Sequence, residues 1–284
     1  MIAGFSHVGV IGAGQMGSGI AQVMATSGLS VTLMDTHGPQ LEKARKSIAT
    51  SAEKLRSKNL LTAEQVQRAA NIFFEESIEG LKSCDLVIEA IVENEAVKKD
   101  LFSRLDLILP SHSVIASNTS SISITRLGSA TKRPDRVIGM HFMNPVPIMK
   151  LVEIIPGMAT SDTVLQNIKL LAATLGKEVS ISHDYPGFIV NRILMPMNNE
   201  AFFALMEGVA SAEDIDRGMK LGTNQPMGPL ELADFIGLDT CLYILNVMHK
   251  GLGDSKYRPS PLLIQYVDAG WMGKKSGRGV FHYK

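Results

Sequence analysis

Three features of the sequence predict an α/β fold, a doubly wound and largely parallel sheet followed by an all-helical C-terminal domain. Short apolar runs alternate with amphipathic stretches from residue 7 to about residue 182, and a glycine-rich turn joins the first such pair. After "HDYPGF" the alternation stops, and the remaining residues carry helical periodicity with almost no strand-like run.

Taken in order, "HVGVI" (7–11) reads as a strand, "QMGSGIAQVMATSG" (15–28) as a helix, "SVTLMD" (30–35) as a strand and "GPQLEKARKSIATSAEKLRSK" (38–58) as a charged helix. Strands follow at "DLVIEAI" (85–91), "SVIASN" (113–118), "RVIGMH" (136–141), "KLVEII" (150–155) and "EVSIS" (178–182). Helices are expected over "AVKKDLFSRLDLIL" (96–109), from near Ile122, and over "DTVLQNIKLLAATLG" (162–176). Pro186 and Gly187 mark the boundary, giving a nucleotide-binding domain over 1–185 and a helical domain over 186–284. In the second domain "FIVNRILMPMNNEAFFALMEG" is apolar around most of its circumference, which predicts burial between domains or against a second subunit. "SAEDIDRGMKLG" opens on Ser211 with Asp214 three residues on, resembling a capping box, and closes on Gly222 as a C-cap. Pro229 is placed to start one further helix, "PLELADFIGLDTCLYILNVMHK".

The 284 residues are 45% hydrophobic and 20% charged, enough apolar material for one large or two moderate cores. The 28 basic and 28 acidic residues cancel and form no long run, which argues against a nucleic-acid surface or an anionic membrane and for a small-molecule partner. Cys84 and Cys241 lack metal-ligand or CxxC spacing, so buried thiols in a reducing compartment are expected, with no metal site. The strand pattern begins at His7, leaving no room for an export leader, and no apolar run approaches the roughly 18 residues of a membrane span. The ending "VFHYK" is neither a peroxisomal nor a retention tail, so a soluble, cytoplasmic protein is expected.

Gly12, Gly14 and Gly17, with Ala13, Gln15 and Met16 between them, have G-x-G-x-x-G spacing directly after a strand and at a helix start. Gly12 permits the tight turn, Gly14 lets the backbone approach a pyrophosphate, and Gly17 lets helix pack on strand. Asp35 ends the next strand, about 20 residues on, where a carboxylate accepts the hydroxyls of an adenosine ribose and repels a 2′-phosphate. Thr36, His37 and Gly38 bring no arginine to offset it, so this Rossmann-like layer should bind NAD rather than NADP. These residues alone leave open whether the dinucleotide serves hydride chemistry or a structural role.

Two polar residues stand out in "GMHFMNPVPIMKLVEII" (139–155): His141 at a strand end and Glu153 within an apolar strand. Taken alone, the histidine is one of seven and reads as a satisfied structural residue, and the glutamate as a solvent-facing residue of an edge strand. The stretches "GAGQMGSGIA", "SNTSSISI", "GMHFMNPVPIMKLVEII", "PGFIVNRILMPMNNEA" and "MGPLELADFIGLD", in that order, resemble the 3-hydroxyacyl-CoA dehydrogenases of the 3-hydroxybutyryl-CoA dehydrogenase type, over the whole chain. That resemblance implies NAD-linked interconversion of a short-chain (S)-3-hydroxyacyl-CoA and the 3-ketoacyl-CoA within fatty acid metabolism. It makes His141 the general acid/base and Glu153 the residue that holds it. It places Ser120 between nicotinamide and substrate, Asn118 and Asn144 beside the nicotinamide, and Glu93 and Lys98 at the cofactor's ribose and phosphates. Lys275 matches a further cofactor-contacting lysine, and Asn191 a residue that hydrogen-bonds the carbonyl region of the substrate. Ser51, Lys54 and Lys58 match a helix that contacts CoA, and Met143 departs from the phenylalanine many members carry there. It also implies a homodimer through the helical domain. The competing expectations are a related NAD-dependent hydroxyacid dehydrogenase of gulonate type, acting without CoA, and a non-catalytic NAD-binding structural protein.

Overall fold

A computed structural model of the chain describes residues 2–283, which divide into two compact units, one running to Tyr185 and the other starting at Pro186. In chain order the first unit contains β1 (His7–Ile11), α1 (Gln15–Thr26), β2 (Ser30–Met34), α2 (Gly38–Ser57), α3 (Ala63–Ala70), β3 (Phe73–Glu75), β4 (Leu86–Glu89) and α4 (Glu95–Ile108). It continues with β5 (Val114–Ser117), α5 (Ile124–Gly128), β6 (Val137–Phe142), β7 (Leu151–Pro156), α6 (Asp162–Thr174) and β8 (Glu178–Ile181).

The strands form one sheet in the order β3-β2-β1-β4-β5-β6-β7-β8. All neighbours are parallel except β6 and β7, which form an antiparallel pair. The central strands β4, β5 and β6 are buried along their whole length, as expected of β-branched runs covered on both faces by helices. Val10 of β1, Ile88 of β4 and Ala116 of β5 join Ile20 and Met24 of α1 and Ile168 and Leu171 of α6 in the core. The order reverses between β1 and β4, which is where open α/β sheets of this kind leave a crevice at the carboxyl ends of their strands.

The antiparallel turn-back of β7 answers the puzzle of Glu153. Its register sets His141 opposite Glu153, so the two side chains share one face of the ladder. Glu153 is fully buried, not solvent-facing, because β7 has β8 on its other side and is not an edge strand.

Two elements of the first unit escape the periodicity reading. Both are short, eight residues for α3 and three for β3; the strand has a single half-buried residue, and the helix, though amphipathic, buries only Ala69. The helix start was nonetheless written locally: the Thr62 hydroxyl accepts from Gln65 N and the Gln65 side-chain oxygen accepts from Thr62 N, a complete capping box. The helix expected from near Ile122 begins at Ile124, where the Ser123 hydroxyl caps Arg126 N.

The second unit holds α7 (Val190–Met206), α8 (Ala212–Gly222), α9 (Pro229–Ile236), α10 (Leu238–Leu252) and α11 (Pro261–Asp268), packed around Phe202, Leu230, Leu238, Leu245, Met248 and Leu263. Ser211 caps α8 as its sequence predicts, while the C-cap is Thr223, with Gly222 the last helical residue. The single helix expected over 229–250 is two, because Gly237 at φ +104° interrupts it. Buried carboxylates tie this unit together: Asp216 accepts from the N–H groups of Leu230 and Glu231 that open α9, and Asp234 from Val280 N, Phe281 N and the Tyr283 hydroxyl. Both cysteines are free and buried, and burial pushes each thiol up to about 12.

Candidate active site

The glycine turn between β1 and α1 is built for a close backbone approach. Gly12 has φ +97°, and a Cβ there would lie 2.6 Å from the Ala90 carbonyl oxygen. A Cβ on Gly17 would lie 1.7 Å from the carbonyl oxygen of Gly12, so only glycine lets α1 start against the turn. At Gly14 a Cβ would meet nothing, so the space above that residue is open. The first intrahelical bond runs from Ser18 N to the Gly14 carbonyl, leaving the N–H groups of Gln15, Met16 and Gly17 ahead of it. No acidic residue occupies the first turn of α1, so nothing there competes for an anion at its positive end.

Asp35 follows β2 and accepts from Ala13 N at 2.8 Å and His37 N at 3.0 Å. Each carboxylate oxygen keeps a lone pair for a ligand hydroxyl. Gln40, on the first turn of α2, donates to the Ala13 carbonyl at 2.7 Å, so both polar groups of Ala13 are held from the β2–α2 side. A cleft of about 600 Å³ opens here, with Gly12, Gly14, Met34, Asp35, Ile91 and Val97 in its lining. Open glycine backbone, free helix N–H groups, an acid at the ribose position and an apolar-sided cleft fit an adenine dinucleotide.

On the far side of the switch point, the ends of β5, β6 and β7 converge. His141 Nδ1 lies 2.7 Å from Glu153 Oε2, and Nε2 lies 3.1 Å from Ser120 Oγ. A carboxylate can only accept, so Nδ1–H donates to Glu153 and Nε2 keeps the lone pair, to which the serine hydroxyl donates. Asn118 accepts from Phe142 N at 2.9 Å, fixing the turn after β5 to β6. Asn144, in the loop after β6, accepts from Gln15 Nε2 at 2.9 Å, which ties that loop to the start of α1.

Beneath the serine turn lies a partly buried cluster of charges. Glu93 accepts from Ser120 N at 2.9 Å, Thr119 Oγ1 at 2.5 Å and Ser121 Oγ at 3.0 Å, and pairs with Lys98 at 3.3 Å. Lys98 is 1% exposed and pairs also with Glu89, which in turn accepts from Ser117 Oγ and Ile91 N. Burial leaves the Lys98 ammonium engaged by two carboxylates, below the surface that a ligand would meet. Glu89, Thr119 and Ser121 were not picked out from the sequence. For Glu89 the signal existed, an acid inside the apolar run "DLVIEAI", the same signature that drew attention to Glu153.

Ser51, Lys54 and Lys58 line a second opening of about 500 Å³ together with Pro145, Pro147 and Ile148. The two lysines are exposed, one helical turn apart at the end of α2. Asn191 and Lys275 belong to the other compact unit: Asn191 is buried in the first turn of α7, and Lys275 pairs with Asp239 at 2.6 Å on the surface. Among the described residues no group of three or more His, Cys, Asp and Glu could hold a metal ion, and no helix is long and apolar enough to cross a membrane.

Comparison with known proteins gives concordant matches. Residues 7–184 match the NAD binding domain of 3-hydroxyacyl-CoA dehydrogenase, and residues 187–283 match its C-terminal domain. A 3-hydroxybutyryl-CoA dehydrogenase of Bradyrhizobium diazoefficiens is 53% identical over 285 residues, covering 100% of this chain and 97% of the relative. Among solved structures, the (S)-3-hydroxybutyryl-CoA dehydrogenase of Ralstonia eutropha superposes with a TM-score of 0.94 at 48% identity, covering 99% of each chain. FadB2 of Mycobacterium tuberculosis superposes with a TM-score of 0.95 at 41% identity, again covering 99% of each chain.

Proposed function

The chain belongs to the NAD-dependent 3-hydroxyacyl-CoA dehydrogenase family, and from that premise we propose that it interconverts (S)-3-hydroxybutyryl-CoA and acetoacetyl-CoA with a histidine–glutamate pair as general acid and base. The observation that carries this reading is the chain of contacts from Ser120 through the His141 imidazole to the buried Glu153. In the oxidative direction Nε2 takes the proton of the 3-hydroxyl as the C3–H bond breaks and the ketone forms. NAD, when bound, accepts the hydride from C3, and NADH returns it in the reverse direction. Ser120 donates a hydrogen bond to the reacting oxygen, and Glu153 compensates the positive charge that the imidazole gains in a site with little water to screen it. Such a positioned base is worth roughly 10² to 10⁴ in rate.

Asp35, the glycine turn, Asn118 and Asn144 hold the dinucleotide in this reading. Glu93 orders the turn carrying Ser120, and Lys98 serves the cofactor through Glu93 rather than by touching phosphate, because its ammonium is buried. Ser51, Lys54 and Lys58 receive the CoA phosphates, and Asn191 the thioester region. Lys275 meets the cofactor in this reading as part of its exposed ion pair with Asp239. The working state is a homodimer in the cytoplasm, serving fatty-acid metabolism.

The test is reduction of acetoacetyl-CoA followed by loss of NADH absorbance. Turnover with the thioester and none with free acetoacetate is expected. Reduction of free acetoacetate, or NAD-linked oxidation of a sugar acid such as gulonate with gain of NADH absorbance, and no turnover of the thioester, would replace this reading by that of a hydroxyacid dehydrogenase. In the same assay His141→Ala is expected to lower kcat by about 10² to 10⁴-fold while NADH still binds, and preserved turnover would remove the histidine from its assigned role.

A further inference from the structure

Lys177, in the turn between α6 and β8, is 8% exposed, and among the described residues no carboxylate pairs with it. A buried ammonium carries a desolvation cost, which here lowers the lysine's pKa from its ordinary value. A group that expensive is expected to have hydrogen-bond work, and it does: Nζ donates to the carbonyl of Val146 at 2.5 Å and to that of Met149 at 2.7 Å.

Both carbonyls belong to the loop between β6 and β7. Pro145 and Pro147 prevent that loop from extending the strand ladder, so its carbonyls must find partners elsewhere. The loop is pinned at two further points. Its first part is held by the bond from Gln15 to Asn144. Its middle fits a notch in α1, where a Cβ on Gly19 would come within 2.9 Å of Val146 Cβ. The same loop walls two openings: Asn144, Pro145 and Pro147 line one beside Gly14 and Gln15, and Pro145, Pro147 and Ile148 line the one that holds Ser51 and Lys54.

We propose that Lys177 is a positioning residue for ligand binding: by drawing two loop carbonyls inward it sets the place of Asn144 and the shape of the wall shared by the opening beside Gly14 and Gln15 and the opening that takes the CoA phosphates at Ser51 and Lys54. The assignment of those openings rests on the function proposed above. Lys177 governs affinity more than rate, because His141 and Glu153 are held by the β6–β7 ladder, which does not depend on the loop.

The test compares Lys177→Met, which keeps the length and apolar stem but strands both carbonyls, with Lys177→Arg, which keeps donors and charge. In the full chain, hydrogen exchange of the amides in 143–150 is expected to rise about tenfold in Lys177→Met, with β6 and β7 unchanged. KM for NADH and for acetoacetyl-CoA should rise about tenfold with kcat within about threefold, and Lys177→Arg should lie closer to the unsubstituted protein in each. Unchanged exchange in the loop would overturn the proposal. So would a rise spread equally over loop and strands with kcat and KM moving together, which is the signature of general destabilisation. The exchange measurement needs no turnover, so failure of the substrate assignment and failure of this proposal are read separately.

Discussion

Asp35 illustrates how one side chain carries two duties. The sequence argues for a carboxylate that accepts ribose hydroxyls, and the structure adds that the same oxygens hold Ala13 N and His37 N, one bond each. Asp35→Ser therefore removes the charge that repels a 2′-phosphate and also loosens the glycine turn, since one short hydroxyl cannot replace two acceptors. Fluorescence titration should show NADH affinity falling about tenfold, a loss of the order expected for a charge-assisted bond, and the preference for NADH over NADPH narrowing. An unchanged ratio would contradict the ribose assignment. Residues of this kind were legible where chemistry requires a residue type at a fixed spacing, as in Gly12, Gly14, Gly17 and Asp35. His141 and Glu153 were visible as polar residues in apolar runs, but their contact was not, because it depends on the register of an antiparallel pair across a proline-broken loop. Lys177 gave no signal at all: a lysine after a glycine at a helix end reads as solvated until the loop packed over it is seen.

At the scale of elements, strands were legible from apolar runs, and the ties between them were not. Asp85, just before β4, is such a tie: it accepts from the Ser6 hydroxyl at 2.7 Å and from the N–H groups of Ser6 and His7 at 2.8 and 3.0 Å, locking the start of β1 to β4. Burial works to raise its pKa, but these hydrogen bonds outweigh that and bring it from 3.8 to about 2. A depressed carboxylate contributes stability that is fully present above its unfolded pKa and is lost as pH falls through its folded pKa. The shift corresponds to about 2 kcal/mol, and the side chain is 20% exposed, so screening removes only part of it. Urea unfolding of Asp85→Asn should show a deficit of about 1 to 2 kcal/mol near neutral pH that shrinks as pH falls from about 4 towards 2. A deficit independent of pH would mean that the loss is one of shape rather than charge. The break at Gly237 was hidden for a related reason, since the apolar periodicity runs through it and only a positive φ, set by packing, ends the helix there.

The whole molecule presents an imbalance that its composition alone does not reveal. A long, apolar α7 was expected to be buried between domains or against a second subunit, and on the folded chain Ile193 is 68% exposed and Met206 42% exposed, with Met195 and Phe202 facing the core. Elsewhere in the same unit Val209, Leu221 and Phe235 are also exposed. Single exposed apolar residues need no explanation, but several in one helical unit of about a hundred residues leave apolar surface that association would remove from water. The homodimer proposed above, formed through this unit, would cover such a patch, and a closed two-fold pairing is the commonest way for one chain to bury a patch on itself. Sedimentation equilibrium should give twice the chain mass over a wide concentration range, and Ile193→Glu should weaken association by about tenfold or more, the effect of placing an unpaired charge in a desolvated contact. The substitution leaves the core of the unit untouched, so thermal unfolding of the separated chain should change little. A protein that sediments as a single chain at micromolar concentration would remove the dimer from the account, and it would assign the exposed face of α7 to something other than a second copy.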